Sequence, residues 1–310
     1  MRPIKALISL DAMAHNLRIA REHAGAAKMF AVVKANAYGH GLSRAVRGFS
    51  AADGFAVLTL EEAANLRMMG IRKPILLLEG VFGADEWGAC SELGVWPVLH
   101  HQAQLDWLSQ QPPARPLHVF LKLDSGMHRL GFPLAAARAV IEQVKSHPSV
   151  SGLTLMTHFA QADEAAGVAW QMEPFLRQVG DAGLPYSCAN SAALLRHPQT
   201  HGAWVRPGIM LYGTSPFADV GAAELGLRPA MTLRSEIIAV QSIKAGEGVG
   251  YGCLYRAEQD RRIGVVACGY ADGYPRHAPT GTPVLVDGRL AEEIRRHRLD
   301  AGAEVHLRQR

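Results

Sequence analysis

Short apolar runs alternate with longer amphipathic stretches along the first two thirds of the chain. Residues 30–35, 54–59, 74–79, 95–100, 117–122, 152–157, 186–190 and 205–211 are short and apolar enough for buried strands. Between them, residues 61–69, 85–93, 103–108, 135–146 and 170–182 repeat apolar side chains every three or four positions, the spacing of one helix face. Strand–helix repeats build parallel sheets, because right-handed crossovers set successive strands side by side. Eight such units predict a closed (β/α)8 barrel, the TIM-barrel architecture. The pattern alone also admits an open doubly wound sheet.

From about Gly213 the texture changes. Residues 231–239, 262–268 and 283–287 read as strands between Gly-rich turns, with no helical spacing among them. The expected organisation is therefore a barrel over residues 1–225 and a small β-rich domain over 226–310. The strand-like segment 6–10 is placed to pair with that second domain. In the tail LAEEIRRHRLDAGAEVHLRQR, Leu290 and Ile294 hint at one helix turn.

Composition narrows the class without naming a chemistry. The 310 residues are 48% hydrophobic and 19% charged, values of an ordinary globular protein and not of a disordered one. Lys and Arg exceed Asp and Glu by 32 to 28 and are scattered, which argues against a nucleic-acid stripe. Four separated cysteines, Cys90, Cys188, Cys253 and Cys268, suggest reduced thiols and no metal site. No run approaches the length of a membrane helix, and the N-terminus has polar residues where a signal peptide is apolar. A cytoplasmic protein is expected.

In a parallel barrel the chemistry sits at the C-terminal strand ends. There the pattern puts Lys34 after the first strand, Lys122 at the end of the fifth, His158 after the sixth, Asn190 and Ser191 at the seventh, and Arg206 in the eighth. Singly, each has an ordinary explanation: a snorkelling lysine, a hydrogen-bonded histidine, Ser191 as a helix N-cap, Pro207-Gly208 as a turn. Together they put several cations on one rim of an apolar barrel, where charges need a ligand or one another. The helix start at Asn190-Ser191 and the bare backbone at Gly208-Ile209 suit an anion. No Walker or GxGxxG pattern accompanies them, which favours a phosphorylated cofactor that leaves a lysine free to react.

The segment FAVVKANAYGHG resembles the cofactor-lysine motif of bacterial alanine racemases, a fold-type III pyridoxal-phosphate family. The resemblance continues in order through LKLDSGMHRLGF, MTHFAQAD, ANSAALL, VRPGIMLYG, VGYG and GYADGYPR, from near residue 4 to about Arg289. It implies racemisation of L- and D-alanine with pyridoxal 5'-phosphate, as in D-alanine supply for the cell wall. Lys34 would carry the cofactor covalently and act as a base on one face. Tyr251 of the partner subunit would act on the other, because inversion removes a proton from one side and returns one to the opposite side. A chain through His158 to Arg206 would favour the phenolate of Tyr251, and Arg206 would also meet the pyridine nitrogen. Tyr38, Ser191, Gly208 and Ile209 would hold the phosphate, and Asn190 would also be among the cofactor-binding residues. Arg129 would bind the substrate carboxylate, Lys122 would position Arg129, and Tyr270 would line substrate access. The partners implied are the small-molecule substrate alanine and a second copy in a homodimer with shared sites, with no nucleic acid and no membrane.

Beyond Arg289 the tail departs from that family, which continues through further strands with a Met-x-x-Asp motif and a late tyrosine. The resemblance thus implies a truncated β-rich domain, with unpaired strand edges and a weakened dimer. Related decarboxylases share VKAN but typically set an acid at the pyridine nitrogen, where this chain has Arg206. A non-catalytic pyridoxal-phosphate barrel and a racemase of broader range stand as alternatives.

Overall fold

The computed structural model describes residues 2–276, 278–292 and 305–308. The chain divides into two units, Ser9–Ala230 and Met1–Ile8 with Met231–Arg310. In the larger unit eight parallel strands follow one another round a barrel. They are β1 (Lys28–Val32), β2 (Gly54–Val57), β3 (Ile75–Leu77), β4 (Trp96–Leu99), β5 (Leu117–Asp124), β6 (Val150–Met156), β7 (Tyr186–Ser187) and β8 (Trp204–Val205). β8 pairs with β1 through Trp204↔Lys28, and Ala203 N–H donates to the Tyr186 carbonyl beside β7, so the ring closes. The open doubly wound alternative is thereby excluded.

Most strands are almost wholly apolar because both faces are covered; β5, with His118, Lys122 and Asp124, is the exception. Phe30, Val32, Ala56, Leu76, Val98, Phe120, Met156 and Trp204, from every strand but β7, pack in a single inner cluster. Phe30 stacks on Trp204 at 4.0 Å and meets Phe120 edge-on at 5.9 Å. Burying a ring of this size contributes about 2–3 kcal/mol. Gly54 in β2 is required by that packing, since a Cβ there would stand 2.7 Å from the Phe30 ring.

Most strands end earlier than the apolar runs predict. Residues 33–35, 58–59, 188–190 and 206–211 leave the ladder and turn over the rim. The eighth run is corrected most: only Trp204–Val205 pairs, Pro207 offers no N–H, and Ile209–Tyr212 winds into a 3-10 turn. The helices Leu60–Met68, Glu86–Leu93, Gln102–Gln110, Ala137–Lys145 and Ala169–Val179 follow the predicted stretches.

Helix Leu10–Ala24 was not among those stretches. Ser9 caps it by accepting the Ala12 N–H, Asp11 sits in its first turn, and Met13, Leu17, Ala20 and Ala24 bury one face. It packs on helices Leu42–Gly48 and Ser191–Arg196 and on the 3-10 turn Ile209–Tyr212, taking the place of a helix after β8. Its Asn16 is fully buried: Nδ2 donates to the carbonyls of Leu211 and Arg228, and Oδ1 accepts the Arg228 N–H.

In the smaller unit, strand Lys5–Ile8 pairs antiparallel with the long strand Met231–Ile243, as the sequence pattern anticipates. Arg261–Val266 pairs antiparallel with that same strand, with an irregularity between Ile237 and Ala239. Val305–Arg308 lies parallel to it and to Pro283–Val286, which forms a hairpin with Arg289–Glu292. Leu290 is therefore in a strand and not in a helix turn: it alternates faces across a hairpin whose turn holds Asp287 and Gly288 at positive φ. Ile294 lies outside the described residues. Tyr274, Ala278 and Val284 form this unit's core.

Candidate active site

One cavity of about 760 Å³ opens at the C-terminal ends of the barrel strands. Ten residues singled out from the sequence line it: Lys34, Tyr38, Lys122, Arg129, His158, Asn190, Ser191, Arg206, Gly208 and Ile209. Tyr251 and Tyr270 belong to the smaller unit, where both phenol rings are exposed, at 80% and 72%.

Lys34 stands at the start of the short turn Lys34–Tyr38, directly beyond β1. Ala35, Asn36, Ala37 and Tyr38 all have φ between 52° and 56°, a left-handed turn built without glycine. Each such residue costs roughly 1–2 kcal/mol, so the surroundings must enforce the shape. Glu62 does so from the next strand–helix unit, accepting the Asn36 N–H and, with its other oxygen, the Leu58 N–H. Asn36 in turn accepts the Leu42 N–H at 2.8 Å. Nothing in the apolar pattern signals this turn, and Glu62 reads as an ordinary helix-surface acid.

Arg206 is buried, and both of its terminal nitrogens are engaged. Its Nη1 donates to the Ser187 carbonyl at 2.7 Å and to Ser187 Oγ at 2.5 Å. Its Nη2 donates to the Thr157 carbonyl at 2.8 Å and lies 3.3 Å from His158 Nδ1. Burial pushes Arg206 down to about 10, which still leaves it a cation near neutrality. Burial, with the charges of Arg206, Lys122, Arg129 and Lys34 behind it, holds His158 well below its ordinary value. His158 is thus a neutral ring that accepts on Nδ1, and its proton resides on Nε2, which is left as a donor.

Lys122 is buried within β5. Burial, reinforced by Arg206 and Arg129, pushes it down to about 8, so a neutral amine is accessible under mild conditions. Arg129 is an exposed side chain on the loop after β5. Asp124 shapes that loop by accepting the Gly126 and His128 N–H groups.

Tyr38, Asn190–Ser191 and Gly208–Ile209 bring three segments together at the cavity. Asn190, and not Ser191, caps helix Ser191–Arg196, because its Oδ1 accepts the Ala193 N–H at 2.9 Å. Ser191 is the first helical residue, and its Oγ is held by the Gly208 N–H at 2.9 Å. A Cβ on Gly208 would stand 2.7 Å from Tyr38 Oη, so the space between them exists only because the residue is glycine. Burial raises Tyr38, which keeps its phenol proton available to donate. Tyr212 fixes that ring from behind at 4.9 Å and donates to the Val32 carbonyl. Donors around a gap that a Cβ would fill fit a phosphate.

Val32, Leu78 and Met156 form the apolar wall. Sequence reasoning passed over them because apolar residues at strand ends read as core. Among the described residues no group of three or more His, Cys, Asp or Glu could hold a metal ion, and no helix is long and apolar enough to cross a membrane.

Residues 8–216 match the family model "Alanine racemase, N-terminal domain", and residues 230–296 match "Alanine racemase, C-terminal domain". The chain is 70% identical over 300 residues to an alanine racemase of Thiobacillus denitrificans, covering 97% of this chain and 82% of that protein. The fold is similar to a crystal structure of a biosynthetic alanine racemase from Pseudomonas aeruginosa, with a TM-score of 0.89 and 49% identity over 94% of this chain and 82% of that one. An alanine racemase from Bacillus anthracis, crystallised with bound L-Ala-P, gives a TM-score of 0.78 at 30% identity, covering 94% of this chain and 78% of that one.

Proposed function

The chain belongs to the alanine racemase family, whose members interconvert L- and D-alanine with pyridoxal 5'-phosphate, and we propose that its own site works by two bases on opposite faces of that cofactor. The observation that supports this reading is the convergence of Lys34, Lys122, Arg129, His158 and Arg206 on a cavity that ends in the Tyr38–Ser191–Gly208 cradle. Bound pyridoxal phosphate supplies an electron sink that acidifies the substrate Cα–H.

The chain's residues do the rest. The Lys34 amine carries the cofactor and takes or returns the α-proton on one face. Tyr251 of the partner subunit serves the other face, so the active form is a homodimer with shared sites. The Nε2–H of His158 is the donor that steadies the Tyr251 phenolate, and Arg206 polarises that ring through Nδ1. Arg206, a guanidinium that stays cationic near neutrality, would face the pyridine nitrogen and disfavour its protonation, and would thereby favour prompt return of the proton at Cα. Tyr38, Asn190, Ser191, Gly208 and Ile209 hold the phosphate. Arg129 takes the substrate carboxylate, and Tyr270 lines substrate access. Lys122 positions Arg129, and its accessible neutral amine suits capture of carbon dioxide as a carbamate, which would set an anion against that guanidinium.

The test is D-alanine formation from L-alanine with added pyridoxal phosphate, together with the absorbance of lysine-bound cofactor. Lys34→Ala should lose both. Tyr251→Phe should keep the absorbance and lose turnover, and a Tyr251→Phe enzyme with normal rates would refute the two-base reading.

A further inference from the structure

A buried polar chain runs behind the cavity wall and consists of Gln171, Ser125 and Thr157. Gln171 lies on helix Ala169–Val179 and is fully buried. Its Oε1 accepts the Ala160 N–H at 2.8 Å, and its Nε2 donates to the His158 carbonyl at 3.1 Å and to Ser125 Oγ at 3.3 Å. Ser125 Oγ is 2.7 Å from Thr157 Oγ1. The neighbouring Trp170 closes over Gly126, where a Cβ would stand 2.4 Å from the indole ring. One side-chain amide thus ties together the turn that carries His158 and the loop that leads to Arg129.

We propose that Gln171 is a positioning residue for proton transfer, fixing the His158 peptide from behind the wall while Arg206 holds the same residue from the cavity. Arg206 takes the Thr157 carbonyl and the His158 ring, and Gln171 takes the His158 carbonyl and the Ala160 N–H. Only an amide suits the second grip, because it must donate to a carbonyl and accept from an N–H at once. Methionine has similar length and does neither, leaving buried backbone groups without their partner. Proton transfer depends steeply on placement, so a small shift of the imidazole reaches the base it supports. The inference rests on His158 serving the base opposite Lys34.

The experiment compares wild type, Gln171→Met, Ser125→Ala and His158→Gln as holoenzymes, using α-deuterated L- and D-alanine. Gln171→Met should lower kcat/KM about tenfold. The loss must be equal in both directions, because enantiomers have equal free energy. Its α-deuterium isotope effect should rise for one enantiomer only, the one deprotonated on the His158 side, with cofactor content and the circular dichroism of bound cofactor unchanged. Ser125→Ala, which removes one acceptor from the amide, should move the same isotope effect by less. This second variant decides the matter if Gln171→Met does not fold. Isotope effects unchanged in the folded variants, whatever the loss of rate, would overturn the proposal. If His158→Gln is also silent, the reading of the site itself has failed; if His158→Gln responds and the other two do not, only the positioning role has.

Discussion

Arg206 and His158 are joined by a single contact of 3.3 Å, from a guanidinium that can only donate to an imidazole nitrogen that must accept. The pairing fixes the tautomer of His158 and, with burial, opposes its protonation. A histidine after a barrel strand would ordinarily be free to pick up a proton near pH 6.5; this one is committed to the neutral form.

Removing the arginine should release that commitment. In Arg206→Met, His158 loses its cationic neighbour and protonates at higher pH than in wild type. Activity should therefore fall off on the acid side earlier in the variant. Four further contacts to Ser187, Thr157 and Cys188 also vanish, so kcat/KM should drop about 100-fold. Arg206→Glu should be worse, because it sets an anionic acceptor against three carbonyls, and it should shift the reaction profile. A kcat/KM–pH profile checks both variants, and an unchanged acid limb in Arg206→Met would contradict the assignment.

Lys122 gives a stability prediction with a defined sign. Its folded value of about 8 lies below the unfolded 10.5. Below pH 8 both states hold the proton, and the folded protein bears the cost of a buried cation. Between pH 8 and 10.5 only the unfolded state keeps it, so stability rises with pH across that window, by up to about 3 kcal/mol. Because the buried Cys90 and Cys188 thiols, pushed up to about 12, oppose it in the same window, the effect is read as the difference between wild type and Lys122→Met in urea unfolding at fixed cofactor concentration. Added bicarbonate at pH 8 should stabilise wild type alone if the neutral amine forms a carbamate.

Much of this is legible in the sequence. Apolar runs mark all eight strands, and polar residues at or beyond their C-terminal ends mark residues that line the cavity. What escaped has physical reasons. Helix Leu10–Ala24 carries its own signals, the Ser9 cap and the spacing of Met13, Leu17, Ala20 and Ala24, but the strand-like run 6–10 overlaps its cap and first residue. The capping role fell to Asn190 instead of Ser191, a shift of one residue that only backbone geometry decides. Gln171 and Glu62 sit on helix faces where a polar residue looks solvated, and their partners are backbone groups that no side-chain pattern reveals.

The proposed phosphate cradle predicts a variant that binds cofactor poorly. Gly208 has φ −123° and ψ −89°, outside the α and β regions that an alanine favours. The added methyl meets Tyr38 Oη at 2.7 Å, so the half-exposed Tyr38 must swing aside. Gly208→Ala should weaken pyridoxal-phosphate affinity about tenfold or more, roughly 1.4 kcal/mol, and should lower the apoprotein Tm as well. Fluorescence titration and thermal melting separate the two effects. An unchanged Kd would show that the phosphate does not lie between Tyr38 and Gly208.

The left-handed turn beyond β1 inverts an ordinary rule of helix stability. Replacing Ala with Gly in a regular helix costs about 0.5–1 kcal/mol, because glycine has more freedom to lose. Ala35 is exposed and held at φ 53°, where its Cβ costs roughly 1–2 kcal/mol and buries no surface in return. Relief of that strain should offset or exceed the entropic loss, so Ala35→Gly should leave stability unchanged or raise it by up to about 1 kcal/mol. Glu62→Ala acts in the opposite sense, since it removes the acceptor of the Asn36 and Leu58 N–H groups that enforce the turn. It should lower stability by about 1–2 kcal/mol and loosen Lys34, one residue before the strained stretch. The double variant discriminates: if the turn is under strain, Ala35→Gly recovers part of the Glu62→Ala loss, and the two changes are not additive in urea unfolding. Strict additivity, with Ala35→Gly costing what it costs in any helix, would show that the turn stores no strain.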